Sequence, residues 1–349
     1  MKSQRLIALL CVIALIFTGC GKEKNTPIAS DNGAVQNAKE SKDYKETKVE
    51  LPQDMTGMLG TFQAPDGAPA IFGVDYSNDE NQDVTEISFK YWKYNLNAEE
   101  EWEKNDVEWG DSLNNLVNSF PVGGLVTGED GNDYMVMAKY TGRTSDKNID
   151  EKEIDLELYR MSGKEAEEVE CEGLHKKEGD GKFRIRNISV GQDGFAVFQY
   201  VDGKCALYDL ETGKEKMEYS QKFTSVVGVY QDCLFGSNEA KDAIVVVDRN
   251  SGELLSTIPA DIGNSEIMFC MNSELDIFYI VEQGIYRIAD DMKSSEKIVN
   301  GDIFTEFGMS SDVSFSGLWE RDGIFYAAFR RNSTGEYTGP DSTKLYSYK

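Results

Sequence analysis

The sequence predicts an all-β chain built as a ring of six four-stranded antiparallel sheets, and three observations predict it. A tight acidic turn recurs between pairs of apolar strands. Several of the strands that follow these turns are apolar at every position instead of every second one. Amphipathic helical periodicity is almost absent from the folded part. A sheet that is apolar on both faces must be covered on both, and here the cover has to be another sheet.

The turns stand at Pro65-Asp66-Gly67, Glu129-Asp130-Gly131, Gln192-Asp193-Gly194, Gln231-Asp232-Cys233 and Arg321-Asp322-Gly323, with a looser form at Asn272-Ser273-Glu274. Asp-Gly supplies the positive φ angles of a type I′ hairpin turn, which explains its recurrence at strand-to-strand joints. The apolar strands that follow are Ala70 to Val74, Tyr134 to Ala138, Phe195 to Val201, Leu234-Phe235, Ile277 to Val281 and Ile324 to Phe329. A third strand and a second turn come next, as in Leu207 to Lys214 and Val246 to Glu253. The fourth strand, for example Lys216-Met217-Glu218-Tyr219, alternates polar with apolar residues, as a strand with one wet face does. Four strands per unit, recurring every 40 to 60 residues or roughly so, make a β-propeller blade. The first two units carry extra residues at Tyr76 to Asp83 and Gly142 to Glu153, expected as loops.

The ends of the folded part predict how the ring closes. The last unit reaches a third strand at Lys344 to Tyr348 and the sequence stops at Lys349, while Lys45 to Leu51 reads as a lone outer strand ahead of the first hairpin. Adding that strand to the final blade pairs two exposed edges and closes the circle.

Upstream, Lys2 and Arg5 precede an unbroken apolar run from Leu6 to Phe17, followed by Thr18-Gly19-Cys20 and a polar segment. Twelve helical residues reach only about 18 Å, short of the hydrocarbon core of a bilayer, so the run reads as an export signal and not as a spanning helix. A cysteine just after the cut is the residue that takes a diacylglycerol. The expected organisation is a signal peptide over residues 1–19, a disordered tether over residues 20–43 beginning at lipidated Cys20, and a β-propeller over residues 44–349. The tether is expected to be disordered because its Lys, Glu, Asp, Asn, Ser and Ala offer almost nothing large and apolar to bury.

Composition narrows the partners. The chain carries 62 acidic against 36 basic residues, and loss of Lys2 and Arg5 with the signal leaves 34 basic residues and a formal charge of −28. That balance excludes nucleic acid, whose binding runs on phosphate neutralisation, and binding of the domain itself to anionic lipid. A solvated acidic surface is the default reading of such charge.

Residues able to carry chemistry are few. Cys171, Cys205, Cys233 and Cys270 are widely spaced within apolar stretches and form no Cys-x-x-Cys motif, so they are expected as buried free thiols. The single histidine, His175, sits in a polar run expected as a loop tip, a poor scaffold for a triad or a zinc site. The segment Asp75 to Glu86 places oxygen-bearing side chains at positions 1, 3, 5, 9 and 12 of an EF-hand-like register, but Glu80 stands where the turn glycine belongs, so a solvated hairpin loop is the expected reading. Tyr91, Trp92, Tyr94, Trp102 and Trp109 crowd the first unit, expected mainly as packing, with ligand stacking as the alternative. No phosphate loop, nucleophile elbow or zinc-protease motif is present. No catalytic, cofactor or metal residue is therefore assigned, and lipidation of Cys20 is the one site expected.

Phe17-Thr18-Gly19-Cys20 resembles a bacterial lipobox, and together with units such as Ala206-Leu207-Tyr208-Asp209-Leu210-Glu211-Thr212-Gly213-Lys214 it resembles the β-propeller lipoproteins of anaerobic Firmicutes. The unit is similar to quinoprotein-type and WD40-like repeats, without a Trp-Asp dipeptide. Similar propellers occur joined to solute-binding domains of ABC transporters, which implies a link to nutrient capture. The expected function is that of a monomeric, non-enzymatic binding or scaffolding lipoprotein on the extracytoplasmic side of the cell membrane, presenting a rigid propeller face to an envelope protein, peptide or glycan. The alternative is a calcium-dependent hydrolase or lyase with carboxylates at the ring axis.

Overall fold

A computed structural model describes residues 44–52, 57–63, 69–78, 84–95, 101–106, 119–127, 132–140, 154–162, 165–171, 174, 185–191, 193–200, 202–263, 267–304, 313–331 and 343–349. The strands fall into six antiparallel sheets of four. Blade 1 holds β2 (Gly57–Gln63), β3 (Pro69–Asn78), β4 (Val84–Asn95) and β5 (Glu101–Asp106), and blade 2 holds β6 (Ser119–Thr127), β7 (Asp133–Tyr140), β8 (Ile154–Ser162) and β9 (Glu165–Val169). Blade 3 is β10 (Ile185–Val190), β11 (Phe195–Tyr200), β12 (Cys205–Asp209) and β13 (Lys214–Glu218). Blade 4 is β14 (Gly228–Tyr230), β15 (Cys233–Ser237), β16 (Ala243–Asp248) and β17 (Leu254–Pro259). Blade 5 is β18 (Met268–Met271), β19 (Ile277–Val281), β20 (Gly284–Ile288) and β21 (Ser295–Asn300). Blade 6 takes β22 (Val313–Arg321), β23 (Ile324–Arg331) and β24 (Thr343–Tyr348) from the end of the chain and β1 (Glu46–Val49) from its start.

First strands of neighbouring blades touch: β2 lies against β6 and β22, β6 against β10, β18 against β14 and β22. The ring is thus a six-bladed β-propeller. The described residues contain no α-helix, only 3-10 geometry at Leu174 and a short turn at Gly301–Ile303.

Blade-to-blade packing uses both faces of each central strand. In β11, Ala196 and Phe198 pack towards blade 2 while Val197 packs towards blade 4. In β19, Ile277, Tyr279 and Val281 face blade 4, and Phe278 and Ile280 face blade 6. In β23, Phe325, Ala327 and Phe329 face blade 5, whereas Tyr326 and Ala328 face blade 1. Side chains alternate across a strand with period two, so a run apolar at every position feeds two separate cores. A fully buried Val, Leu, Ile or Phe contributes roughly 1.5–3 kcal/mol, which makes these inter-blade cores the main stabilising term.

Outer strands show the predicted one-sided pattern. Lys214, Lys216 and Glu218 of β13 are exposed, and Glu215 and Met217 between them are partly buried.

Three expectations are refined. Gln231-Asp232 (φ 50 and 62) and Asp322-Gly323 (φ 54 and 79) are two-residue turns with both residues left-handed, as type I′ requires. The joint at Gly191 to Phe195 is one residue longer. Gly191 N–H donates to Phe195 O (2.9 Å) and Gly194 N–H to Gly191 O (3.4 Å), and among the described residues of the joint Gly194 takes positive φ, as in a three-residue hairpin loop. Asn272 to Asp276 repeats this geometry with Leu275 (φ 71) in the glycine position. Second, Tyr76 to Asn78 are strand and not loop, since β3 and β4 stay paired up to Asn78 opposite Val84. The joints at residues 65–67 and 129–131 and the segment 142–153 lie outside the described residues. Third, the closing strand is four residues long, shorter than Lys45 to Leu51.

Closure itself is as the sequence predicts. β1 pairs antiparallel with β24 from Glu46 opposite Tyr348 to Val49 opposite Leu345. Lys45 N–H donates to Lys349 O (2.9 Å), Lys349 N–H returns to Lys45 O (3.2 Å), and Tyr348 Oη–H donates to Glu46 Oε2 (3.0 Å). Of the four β1 side chains only Val49 is buried, so backbone hydrogen bonds hold most of this strand. A chain beginning at Gln53 is expected to lose about 4 kcal/mol, from ladder bonds worth about 0.5–1.5 kcal/mol each and the burial of Val49. Urea unfolding measures it, and a synthetic peptide of residues 44–52 added in trans restores part of the loss.

Candidate functional site: the turn face and the closing seam

The turns at one end of the blades are linked by charge. Arg249, in the turn between β16 and β17, has its side chain only 6% exposed. Its guanidinium reaches Asp193 of the blade 3 turn, with Nη1 donating to Oδ1 (3.1 Å) and Nη2 to Oδ2, and Nη2 also donates to Oδ1 of Asp232 in blade 4 (2.6 Å). Arg249 N–H donates to Asp232 O (2.8 Å), and Tyr219 Oη–H donates to Arg249 O (2.6 Å). A planar guanidinium serves two carboxylates at once, which an ammonium cannot match. Gly191 makes room for it: a Cβ there would stand 2.2 Å from Nη1.

The loop that presents Arg249 is one the sequence repeats. Asp248 Oδ1 accepts from the N–H groups of Asn250 (3.0 Å) and Ser251 (2.7 Å), as Asp209 Oδ1 accepts from Glu211 (3.0 Å) and Thr212 (3.2 Å) one blade earlier. Left-handed Gly252 and Gly213 close the two turns. Desolvation raises the pKa of Asp209, but the hydrogen bonds it accepts from Thr212 and Glu211 outweigh that and leave its carboxyl below the usual carboxylate range.

Elsewhere blade 3 side chains hold the backbone of the segment entering blade 4, and Arg186 Nη1 donates to Thr224 O (2.9 Å). Gln199 Nε2 donates to Ser225 O (2.6 Å) and its Oε1 accepts from Val227 N–H (2.9 Å), while Asn187 Nδ2 donates to Val227 O (2.9 Å). A buried amide that uses both ends fixes the register of the two blades.

At the seam between blades 6 and 1, Trp102 donates from Nε1 to Glu50 O (2.8 Å), and its ring lies 4.9 Å from Tyr94. Tyr94 meets Tyr326 of blade 6 edge-on at 5.9 Å. A small apolar cleft runs between Leu51, Pro69, Ile71, Trp102, Trp319 and Leu345. Trp92, Tyr94 and Trp102 are therefore packing residues of the closure, as the packing reading expects. The side chain of Tyr91 and the whole of Trp109 lie outside the described residues.

The remaining sequence candidates sort as follows. Cys171, Cys205, Cys233 and Cys270 are buried and free of disulfides. Burial raises the Cys270 thiol well above its ordinary range and Cys233 to about 11, which makes them inert hydrophobes and not nucleophiles. In the Asp75 to Glu86 segment, Asp75 pairs with Ser88 and Ser77 with Glu86 across an antiparallel ladder. That geometry differs from the coiled loop of an EF-hand, and residues 79–83 lie outside the described residues. Among the described residues no group of three or more His, Cys, Asp or Glu side chains is arranged to hold a metal ion. His175 and Cys20 lie outside the described residues. Asp193 and Asp232 were visible in the sequence as turn residues, but their shared arginine was not.

No family model matches the chain, and no curated protein does. Solved structures of similar backbone include the sialidase of Trypanosoma rangeli in complex with the inhibitor DANA, at 10% identity and a TM-score of 0.45, covering 88% of this chain and 60% of that one. BamB from Moraxella catarrhalis matches at 11% identity and a TM-score of 0.41, covering 87% of this chain and 100% of that one. The WD40 β-propeller domain of Doa1 matches at 9% identity and 0.44, with 88% and 96% covered. The chain spans about 60% of the length of the sialidase it resembles. The six-bladed assignment rests on the strand ladders, and these weak likenesses carry nothing about activity.

Arg249→Ala is expected to destabilise the domain by about 2–3 kcal/mol, less than the 3–5 kcal/mol of a fully buried pair because both carboxylates remain partly exposed. Arg249→Lys recovers little of it. Urea unfolding of the two variants beside wild type measures both effects.

Proposed function

We propose that the chain is a lipoprotein, anchored by diacylglycerol on Cys20 to the extracytoplasmic side of the cell membrane, whose propeller is a non-enzymatic binding or scaffolding module for an envelope protein, peptide or glycan. A role beside nutrient uptake fits the resemblance of its repeats to propellers joined to solute-binding domains.

One structural observation supports the reading. The first described strand, β1, is the outermost strand of its blade, so the described chain enters the propeller at the rim of the ring. Binding also suits the way the face is built, since Arg249 and Gln199 hold neighbouring blades in one fixed arrangement and a pre-organised surface loses little entropy on association.

Two measurements test this together. Cys20→Ala is expected to shift the protein from the membrane fraction to the soluble one and to abolish incorporation of labelled palmitate. Purified lipoprotein is expected to turn over no substrate in a broad hydrolase screen with and without calcium. Robust turnover abolished by a chelator replaces the binding module with a metal-dependent enzyme.

A further inference from the structure

The outer strands of the six blades differ in one respect that their common geometry does not require. β1 carries Glu46 and Lys48, β5 carries Glu101, Glu103, Lys104 and Asp106, and β9 carries Glu165, Glu167 and Glu168. β13 carries Lys214, Glu215, Lys216 and Glu218, and β21 carries Glu296 and Lys297. Several of these charges are laid over the flank of their own blade. Lys104 lies 5.5 Å from the Trp92 ring, Lys216 lies 5.6 Å from Phe195, Lys297 lies 5.4 Å from Tyr286, and Arg160 meets Glu167 at 2.6 Å. Charges on an edge strand, lysine above all, are what keeps a free sheet edge from taking a further strand.

β17 carries no charge. Its sequence is Leu254-Leu255-Ser256-Thr257-Ile258-Pro259, and Leu254 and Leu255 are 61% and 49% exposed. The bulge at Leu255 does not set this edge apart, because β13 and β21 have the same bulge at Lys216 and Ile298. What differs is the side chain placed there. Lys216 reaches over Phe195, Ile298 packs on its core, and Leu255 is left half exposed. Pro259 lacks an N–H and ends the usable edge, leaving Leu254 to Ile258.

We propose that the outer edge of blade 4 is a strand-addition site for an extended segment of a partner protein, apolar at its centre and basic at both ends. Exposed Glu253 precedes the open edge and exposed Asp261 follows it, so the apolar strip is bracketed by carboxylates. A strand laid along it gains backbone hydrogen bonds from the edge, apolar contact with Leu254 and Leu255, and charge pairing at its two ends. A second copy of this chain fits poorly. Antiparallel pairing of β17 with itself brings Glu253 of each copy towards Asp261 of the other, on molecules that each carry a formal charge of −26 before processing. This inference deepens the binding-module reading by naming a partner class, and its failure leaves the Cys20 and turnover tests untouched.

The test uses detergent-solubilised full-length protein and a synthetic ten-residue peptide that alternates valine and threonine between lysine pairs, with binding followed by fluorescence anisotropy. The double variant Leu255→Lys and Thr257→Glu installs the residues found at the matching positions of β13, Lys216 and Glu218, so it is expected to fold with an unchanged melting temperature. The double variant is expected to bind the peptide at least tenfold more weakly than wild type. A glutamate-flanked peptide is expected to lose at least tenfold, and so is a peptide N-methylated along its pairing edge. Equal binding by wild type and the double variant overturns the proposal, as does equal binding of the lysine- and glutamate-flanked peptides or no binding to wild type. A concentration-dependent dimer that the double variant abolishes overturns it in favour of self-pairing.

Discussion

The closed ring follows from sheets that are apolar on both faces. Phe198 beside Val197, Phe278 beside Tyr279 and Phe325 beside Tyr326 send large side chains to opposite sides of one strand. A two-layer sandwich would leave one of those sides wet. A radial stack covers both, provided that the first and last sheets also meet. Closure is thus imposed by the hydrophobic effect acting on period-two geometry, and β1 completes the last sheet at the place where that requirement falls.

Packing alone leaves neighbouring blades free to slide, because apolar contact has little direction. Polar groups that span blades supply it. Arg249 ties the turns of blades 3 and 4, Gln199 ties β11 to the segment entering blade 4, and Tyr230 Oη–H donates to Phe269 O (3.0 Å) between blades 4 and 5. Each satisfies buried groups that would otherwise cost about 1–3 kcal/mol. A ring held this way presents fixed surfaces on which loops and edges can carry recognition.

Fold was legible in the sequence to the extent that it depends on local patterns. Asp-Gly pairs, runs apolar at every position and an orphan strand before Leu51 are statements about neighbours along the chain. They led to six blades and their closure. Gly194 and Leu275 were harder to read because three-residue and two-residue hairpin loops share the same residue preferences and differ only in which ladder bond closes them. Tyr76 to Asn78 read as loop because polar strand residues and loop residues share a composition. The surface features were less legible still. Asp193 and Arg249 are 56 positions apart, and nothing in either turn announces the other. The bare edge of β17 emerges only when the outer strands are set side by side, because an exposed leucine pair in one segment looks the same as a buried one.

Native-state hydrogen exchange along β24 tests the closed ring most directly, since exchange reports whether a strand has a partner on each side. If β1 seals the last blade, amides of residues 345–349 exchange as slowly as those of β16, a strand paired on both edges. If the ring is open there, these amides exchange as quickly as those of the free edge of β17, and the account of a closed propeller is contradicted.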